Sequence, residues 1–261
     1  MGRKRLLTTA LVAAVLAAAP AAQAAGLVAL GDSFSSGEGV PPYEGGACHR
    51  SPHAWPLVLA AQLGSSAESW ACSGAVTGDV AAQIARLAAD AHLVTISIGG
   101  NDLGFGEVLR NCVLRNCRRL YTRDGADVIE ERIRRLARTL PGLYRRIQHA
   151  APRARLLVMG YPRLFPRRPG RFTCAALGTI TRSEIRYLNA KTAAADRAIR
   201  RAALRAGGLY VHALDAFEGG EIACGRGPRY AGARTFHPTA AGHARLAEIA
   251  LAALAERVSD R

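Results

Sequence analysis

The chain has 261 residues, 49% of them hydrophobic, and carries 35 Lys+Arg against 20 Asp+Glu for a formal charge of +15. That apolar content over that length excludes a disordered chain and a small disulfide-stapled peptide, and it suffices for one domain with a sizeable core. Lys4 and Lys191 are the only lysines, so the positive charge is arginine almost throughout, a bias that codon composition alone can produce.

Residues 1–24 read as a secretory signal: Arg3, Lys4 and Arg5, an apolar stretch from Leu6 to Ala19, a break at Pro20, and the small-x-small site Ala22-Gln23-Ala24. The stretch is shorter than the ~20 residues of a membrane span, and no later segment qualifies. The expected mature protein is secreted and soluble, a single domain over 25–261 whose charge falls to +12 once the three leader cations are removed.

Strands and helices then alternate. Gly26–Leu30 is a short apolar run that predicts a strand, and Glu68–Ala71 is a weaker one. Thr77 is placed to cap a helix reaching Asp90, with Val80, Ile84, Leu87 and Ala88 on one face. Leu93–Ile98 predicts a strand, and Asp127–His149 a helix with Ile129, Ile133, Leu136, Leu140, Leu143 and Ile147 at spacings of three and four. Strand Arg155–Met159, helix Thr181–Ala206, strand Leu209–His212 and helix Thr239–Val258 follow. On the helix Arg132, Arg134 and Arg135 are expected to be solvated, away from the apolar stripe. Apolar strands with crossover helices imply a three-layer α/β/α sandwich around a parallel sheet. Ligands bind such sheets beyond the carboxyl ends of the strands.

Four motifs fall at those ends. Gly31-Asp32-Ser33-Phe34-Ser35 presents Ser33 after the first strand, where the start of a helix would favour a developing anion. In Cys72-Ser73-Gly74-Ala75-Val76-Thr77, Gly74 offers an unobstructed N–H. Ile98-Gly99-Gly100-Asn101-Asp102 puts an amide and a carboxylate at the mouth of its strand, and Asn101 can donate to an oxyanion. Phe236-His237-Pro238-Thr239 sets His237 in the loop before the last helix, with Pro238 near the helix start, where a histidine can act as general base. Each motif has a bland reading as a cap, a turn or a structural histidine; their joint occurrence at one set of strand ends is the signal. Gly-x-Ser-x-Gly, P-loop and His-Glu-x-x-His signatures do not occur.

Export favours bridges among Cys48, Cys72, Cys112, Cys117, Cys174 and Cys224 over metal ligation. Six cysteines allow 15 connectivities. Pairing in chain order, 48 with 72, 112 with 117 and 174 with 224, is favoured because each pair brackets a candidate loop.

On its four motifs the chain resembles the SGNH or GDSL hydrolases, from Leu27 to the final helix. Cys48-His49-Arg50-Ser51, Cys72 to Thr77, Gly160-Tyr161-Pro162-Arg163 and the six cysteines are similar to the secreted actinomycete branch of lipases, phospholipases and esterases. The resemblance implies a flavodoxin-like sandwich, Ser33 as nucleophile, His237 as base, and an oxyanion hole made by the Ser33 and Gly74 backbone N–H groups with the Asn101 side chain. It also implies cysteines paired in order. The family usually has Asp three residues before its histidine; here that position is Arg234, and no carboxylate lies between Glu221 and His237. In the resembling branch some members use a backbone carbonyl instead, so a Ser33/His237 dyad with the carbonyl of Arg234 or Thr235 as third partner is expected, with Asp215 as the alternative acid.

These parts imply ester cleavage through an acyl-enzyme, with no metal or organic cofactor, and activity that falls as pH drops through the histidine pKa, ~6.5 if unperturbed. The expected substrate is a lipid ester, with Leu103–Leu109 either lining an acyl groove or belonging to the core. The expected enzyme is monomeric, touches lipid surfaces transiently and binds no nucleic acid. The alternatives are a carbohydrate acetyl esterase of the same fold and a basic secreted binding protein on an inactive scaffold, for which Arg234 is the best argument. Aromatics at 6%, scattered rather than clustered with Arg, count against the latter.

Overall fold

The computed structural model describes residues 26–114, 117–168, 180–219, 230–232 and 235–259. The leader, Cys174, Cys224 and Arg234 lie outside the described residues.

Five parallel strands form the central sheet in the order β2-β1-β3-β6-β7: β1 (Leu27–Gly31), β2 (Ala67–Ser69), β3 (Leu93–Ser97), β6 (Arg155–Met159) and β7 (Leu209–Val211). Leu27 pairs with Leu93 and Leu93 with Arg155, so the three central strands start level and their carboxyl ends form one edge. Every residue of β1 and β3 is buried, which is why their sequences are continuous apolar runs rather than alternating ones.

Helices cover both faces. α2 (Trp55–Gln62) packs on α8 (Ala240–Ser259), and α6 (Val128–Ala150) on α7 (Arg182–Arg205). The apolar stripe foreseen on α6 is buried at Ile129, Ile133, Leu136, Leu140, Leu143 and Ile147. Asp127 caps this helix, accepting from Ile129 N–H (2.9 Å) and Glu130 N–H (3.0 Å). Between the sheet helices lie the short α1 (Ser33–Ser36), α3 (Val80–Ile84), α4 (Phe105–Leu114) and α5 (Cys117–Leu120), and a hairpin of β4 (Thr122–Arg123) and β5 (Ala126–Asp127).

Two expectations are corrected. Helix α3 is only a fragment of the predicted Thr77–Asp90 helix, and Thr77 does not cap it. Its N–H (3.0 Å) and hydroxyl (2.6 Å) are taken by the Asp102 carboxylate, and Asp79 folds back to accept from Val76 N–H (2.9 Å). Arg132 is not a solvated charge: it donates to the Leu103 carbonyl (2.8 Å). Arg134 and Arg135 are exposed as foreseen. Disulfides join Cys48 to Cys72 and Cys112 to Cys117, in the pairing the sequence favours.

Candidate active site

The first strand delivers Ser33 through a tightly constrained turn. Asp32 N–H continues the sheet by donating to the Ser97 carbonyl (2.9 Å). Gly31 adopts φ 120°, and a Cβ there would lie 2.2 Å from that same carbonyl, so only glycine fits. Gln83 of α3 grips both backbone groups of Gly31, accepting from its N–H (2.7 Å) and donating to its carbonyl (2.9 Å).

Asp32 then starts α1 by accepting from Phe34 N–H (3.0 Å). Its other carboxylate oxygen accepts from the Tyr161 hydroxyl, which in turn accepts from Gly100 N–H (3.1 Å). Burial drives Asp32 up to about 7, against the opposing pull of its Tyr161 and Phe34 bonds, and it drives Tyr161 well above the usual phenol range. Tyr161 therefore keeps its proton and remains the donor. The sequence marks Tyr161 only as part of a shared block; its role needs the strand ends brought together.

His237 arrives from the opposite end of the chain. Phe236 sits at φ 59°, a left-handed conformation that a bulky side chain rarely takes, and Gly232 N–H donates to the His237 carbonyl (2.9 Å). This turn brings His237 Nε2 to 2.8 Å from Ser33 Oγ, across 204 residues of sequence. Burial lowers the proton affinity of the imidazole; the charge of Glu38 and the Thr235 backbone act the other way.

Of the acceptors expected for His237 Nδ1, Asp215 is the one the structure turns elsewhere. Asp215 is ion-paired with Arg163 and lies 3.9 Å from His212, so it is engaged away from His237. Nδ1 of His237 is buried and has no hydrogen-bond partner among the described residues, although the Thr235 backbone is close enough to raise the ring's proton affinity. The Arg234 carbonyl lies outside the described residues.

Gly74 and Asn101 flank Ser33 along the same cavity. The Gly74 N–H has no partner among the described residues, and the Ser33 N–H, at the first position of α1, has no helical carbonyl behind it. At four residues α1 carries too little aligned dipole to favour an anion, so what remains of that expectation is the N–H alone. Asn101 spends one amide hydrogen on the Ala75 carbonyl (2.9 Å), which orients the group and leaves the other without a partner among the described residues. Asp102, expected at the mouth, turns away to Thr77.

The cavity in front of Ser33 has a volume of about 370 Å³. Phe34, Leu103, Phe105, Leu109 and Leu164 supply its apolar wall, so the Leu103–Leu109 segment serves groove and core at once: Leu103 and Leu109 are buried and Phe105 half-buried. Arg110 and Glu107 also border it.

The sequence model of the GDSL-like lipase/acylhydrolase family matches residues 29–245. Lipase 1 of Streptomyces coelicolor is 43% identical over 158 residues, covering 59% of this chain and 58% of that lipase, so the match spans less than two thirds of the relative. Among solved structures, phospholipase A1 from Streptomyces albidoflavus NA297 superposes with a TM-score of 0.75 at 33% identity, covering 89% of this chain and 99% of that one. The extracellular lipase from Streptomyces rimosus gives 0.72 at 30% identity, with the same coverage of both chains.

Proposed function

The chain belongs to the GDSL-like lipase/acylhydrolase family, and from that premise we propose that it is a secreted serine hydrolase of lipid carboxylic esters working through a Ser33–His237 dyad. The observation that carries this reading is the 2.8 Å contact between His237 Nε2 and Ser33 Oγ at the wall of an apolar cavity.

As Ser33 Oγ attacks the ester carbonyl carbon, its proton passes to Nε2 of neutral His237. The carbonyl oxygen becomes an oxyanion held by the Ser33 and Gly74 N–H groups and the free amide hydrogen of Asn101. The imidazolium then protonates the departing alcohol as the tetrahedral centre collapses to an acyl-enzyme. Water, deprotonated by His237, attacks that ester, and the collapse returns the proton to Ser33 with release of the acid. With no carboxylate on Nδ1 among the described residues, the ring is oriented by the Thr235 backbone, by its packing against Phe34 (centroids 5.6 Å apart) and by the Phe236 turn.

Residues 1–24 act as the export signal and 25–261 as the hydrolase domain. The leader's charge and apolar pattern support this, as does the likeness to a lipase described as extracellular. The apolar wall favours an acyl chain over the acetyl group of a sugar ester, with brief contact at a lipid surface as the monomer takes its substrate.

The test is hydrolysis of p-nitrophenyl esters from acetate to palmitate by oxidised mature protein. Turnover is expected to peak beyond acetate, to vanish in Ser33→Ala, and to persist below about pH 6.5 because burial depresses His237. Hydrolysis undiminished in Ser33→Ala sinks the reading. An optimum at acetate transfers it to the sugar deacetylase.

A further inference from the structure

Among the described residues no acid meets Nδ1 of His237, yet a carboxylate stands close by on another element. Gly37, in the left-handed conformation, ends α1, and Glu38 N–H donates back to the Ser33 carbonyl (3.1 Å). The next residue, Gly39, presses on the histidine loop: a Cβ there would lie 2.6 Å from the Pro238 carbonyl oxygen and 3.3 Å from His237 Cβ. The Glu38 side chain is only 19% exposed. Its Oε2 accepts from Ser73 Oγ (2.9 Å) and lies 2.6 Å from His49 Nδ1. Ser73 precedes Gly74, and its own N–H is tied to the Cys48 carbonyl (3.0 Å) beside the Cys48–Cys72 bridge. The Glu38 carboxylate thus touches the loop that offers the Gly74 N–H, its own N–H is tied to Ser33, and the residue after it presses on the His237 turn.

We propose that Glu38 is the positioning residue of this site, its charge stabilising the His237 imidazolium in place of a triad acid and its bond to Ser73 holding the Gly74 N–H toward Ser33. The inference rests on the ester-hydrolase reading above.

The physical need is plain. A neutral acceptor such as the Thr235 backbone stabilises imidazolium less than a carboxylate does. The Glu38 charge acts through space, raising the proton affinity of His237 against the burial that lowers it. The other groups facing the ring are the Thr235 backbone and His243 of α8, which is neutral because burial drives it down to about 4. Glu38 itself faces Ser73 and the half-exposed His49, which stacks on Tyr43 at 4.8 Å between centroids. Both bonds to Oε2 also disperse the negative charge and limit its repulsion of the oxyanion at Gly74.

The test compares Glu38→Gln, which keeps shape and loses charge, with Glu38→Asp, which keeps charge, each shown to be folded by its thermal transition. kcat and kcat/KM for a short p-nitrophenyl ester are followed from about pH 4.5 to about pH 8.5. In Glu38→Gln the acid limb is expected to move to lower pH by up to about 1 unit, and plateau kcat to fall by up to about tenfold, with KM little changed. Glu38→Asp is expected to keep the acid limb near its wild-type position. If Glu38→Gln retains both the limb and the plateau, Glu38 does not position the site. If both variants lose kcat with the acid limb unmoved, Glu38 only holds the loop and the charge assignment is overturned. Failure of the hydrolase reading is separate: it appears as turnover surviving in Ser33→Ala.

Discussion

The candidate residues Ser33, Gly74, Asn101 and His237 come from four separate stretches of chain, and three of them are aimed by groups outside the proposed chemistry. Gln83 clamps the turn before Ser33, Ala75 takes one hydrogen of Asn101, and the strained Phe236 turn presents His237. The Asn101 arrangement makes a specific demand. Replacing it by Ala removes the side-chain donor proposed for the oxyanion while the backbone donors stay, so kcat should fall about a hundredfold to a thousandfold, with KM for a short ester nearly unchanged. Stopped-flow hydrolysis with purified Asn101→Ala checks this; a loss confined to KM would place Asn101 in binding rather than catalysis. These four candidates could be picked out in the sequence because their types and order are chemically selective. Their helpers Gln83 and Glu38 could not, since neither residue type is distinctive and both act across dozens of positions.

At the scale of elements, the long amphipathic helices were read within a residue or two because their apolar positions recur at three and four. Helix α2 was missed for the opposite reason: Trp55-Pro56-Leu57-Val58-Leu59-Ala60-Ala61 is apolar all round and shows no stripe. Helix α7 illustrates how ends are held. Thr181 and Glu184 form a reciprocal capping box, with Thr181 N–H donating to Glu184 Oε2 at 2.8 Å, while Glu184 Oε1 also accepts from the buried Cys117 N–H at 3.1 Å. Thr181→Ala should therefore cost about 1 kcal/mol. Glu184→Ala should cost more, because it also leaves a buried donor unpaired, a penalty of about 1–3 kcal/mol. Denaturant titration of the two variants checks the order, and equal losses would mean the Cys117 contact contributes nothing. Lys191, one of two lysines in the chain, sits at 9% exposure between Asp127 (2.7 Å) and Glu130 (2.8 Å), pinning α7 to the start of α6. Burial alone would raise Asp127, but the bond to Lys191 and the helix N–H groups outweigh it and hold the carboxyl below its usual range.

For the molecule as a whole, two kinds of buried titratable group pull stability in opposite directions. Asp32, raised to about 7, binds its proton more tightly in the folded state, so its contribution is present below about pH 4 and is lost as pH rises through 7. His243, lowered to about 4, and His237, also lowered, bind protons less tightly when folded, so they remove stability as pH falls from about 6.5. Between about pH 4 and pH 6.5 the two slopes oppose each other. Asp32→Asn deletes only the first, so the variant should lose stability more steeply on acidification than the parent, as measured by urea midpoints across that range. Parallel pH profiles would show that Asp32 titrates alike in the folded and unfolded chain.

The layered α/β/α architecture, the chain-order pairing of Cys48 with Cys72 and Cys112 with Cys117, and the choice of the four candidate site residues follow from local information: apolar runs, helical period, turn glycines, residue types after strands. The truncation of the Thr77 helix, the withdrawal of Asp102 from the mouth, the pairing of Asp215 with Arg163 and the bond of Ser73 to Glu38 depend on which polar groups meet when the strand ends converge. A hydrogen bond is chosen by distance in space, and the positions that compete for each donor here lie 25 to 52 residues apart in the chain. Local pattern sets where an element forms; competition among buried polar partners sets what its ends do.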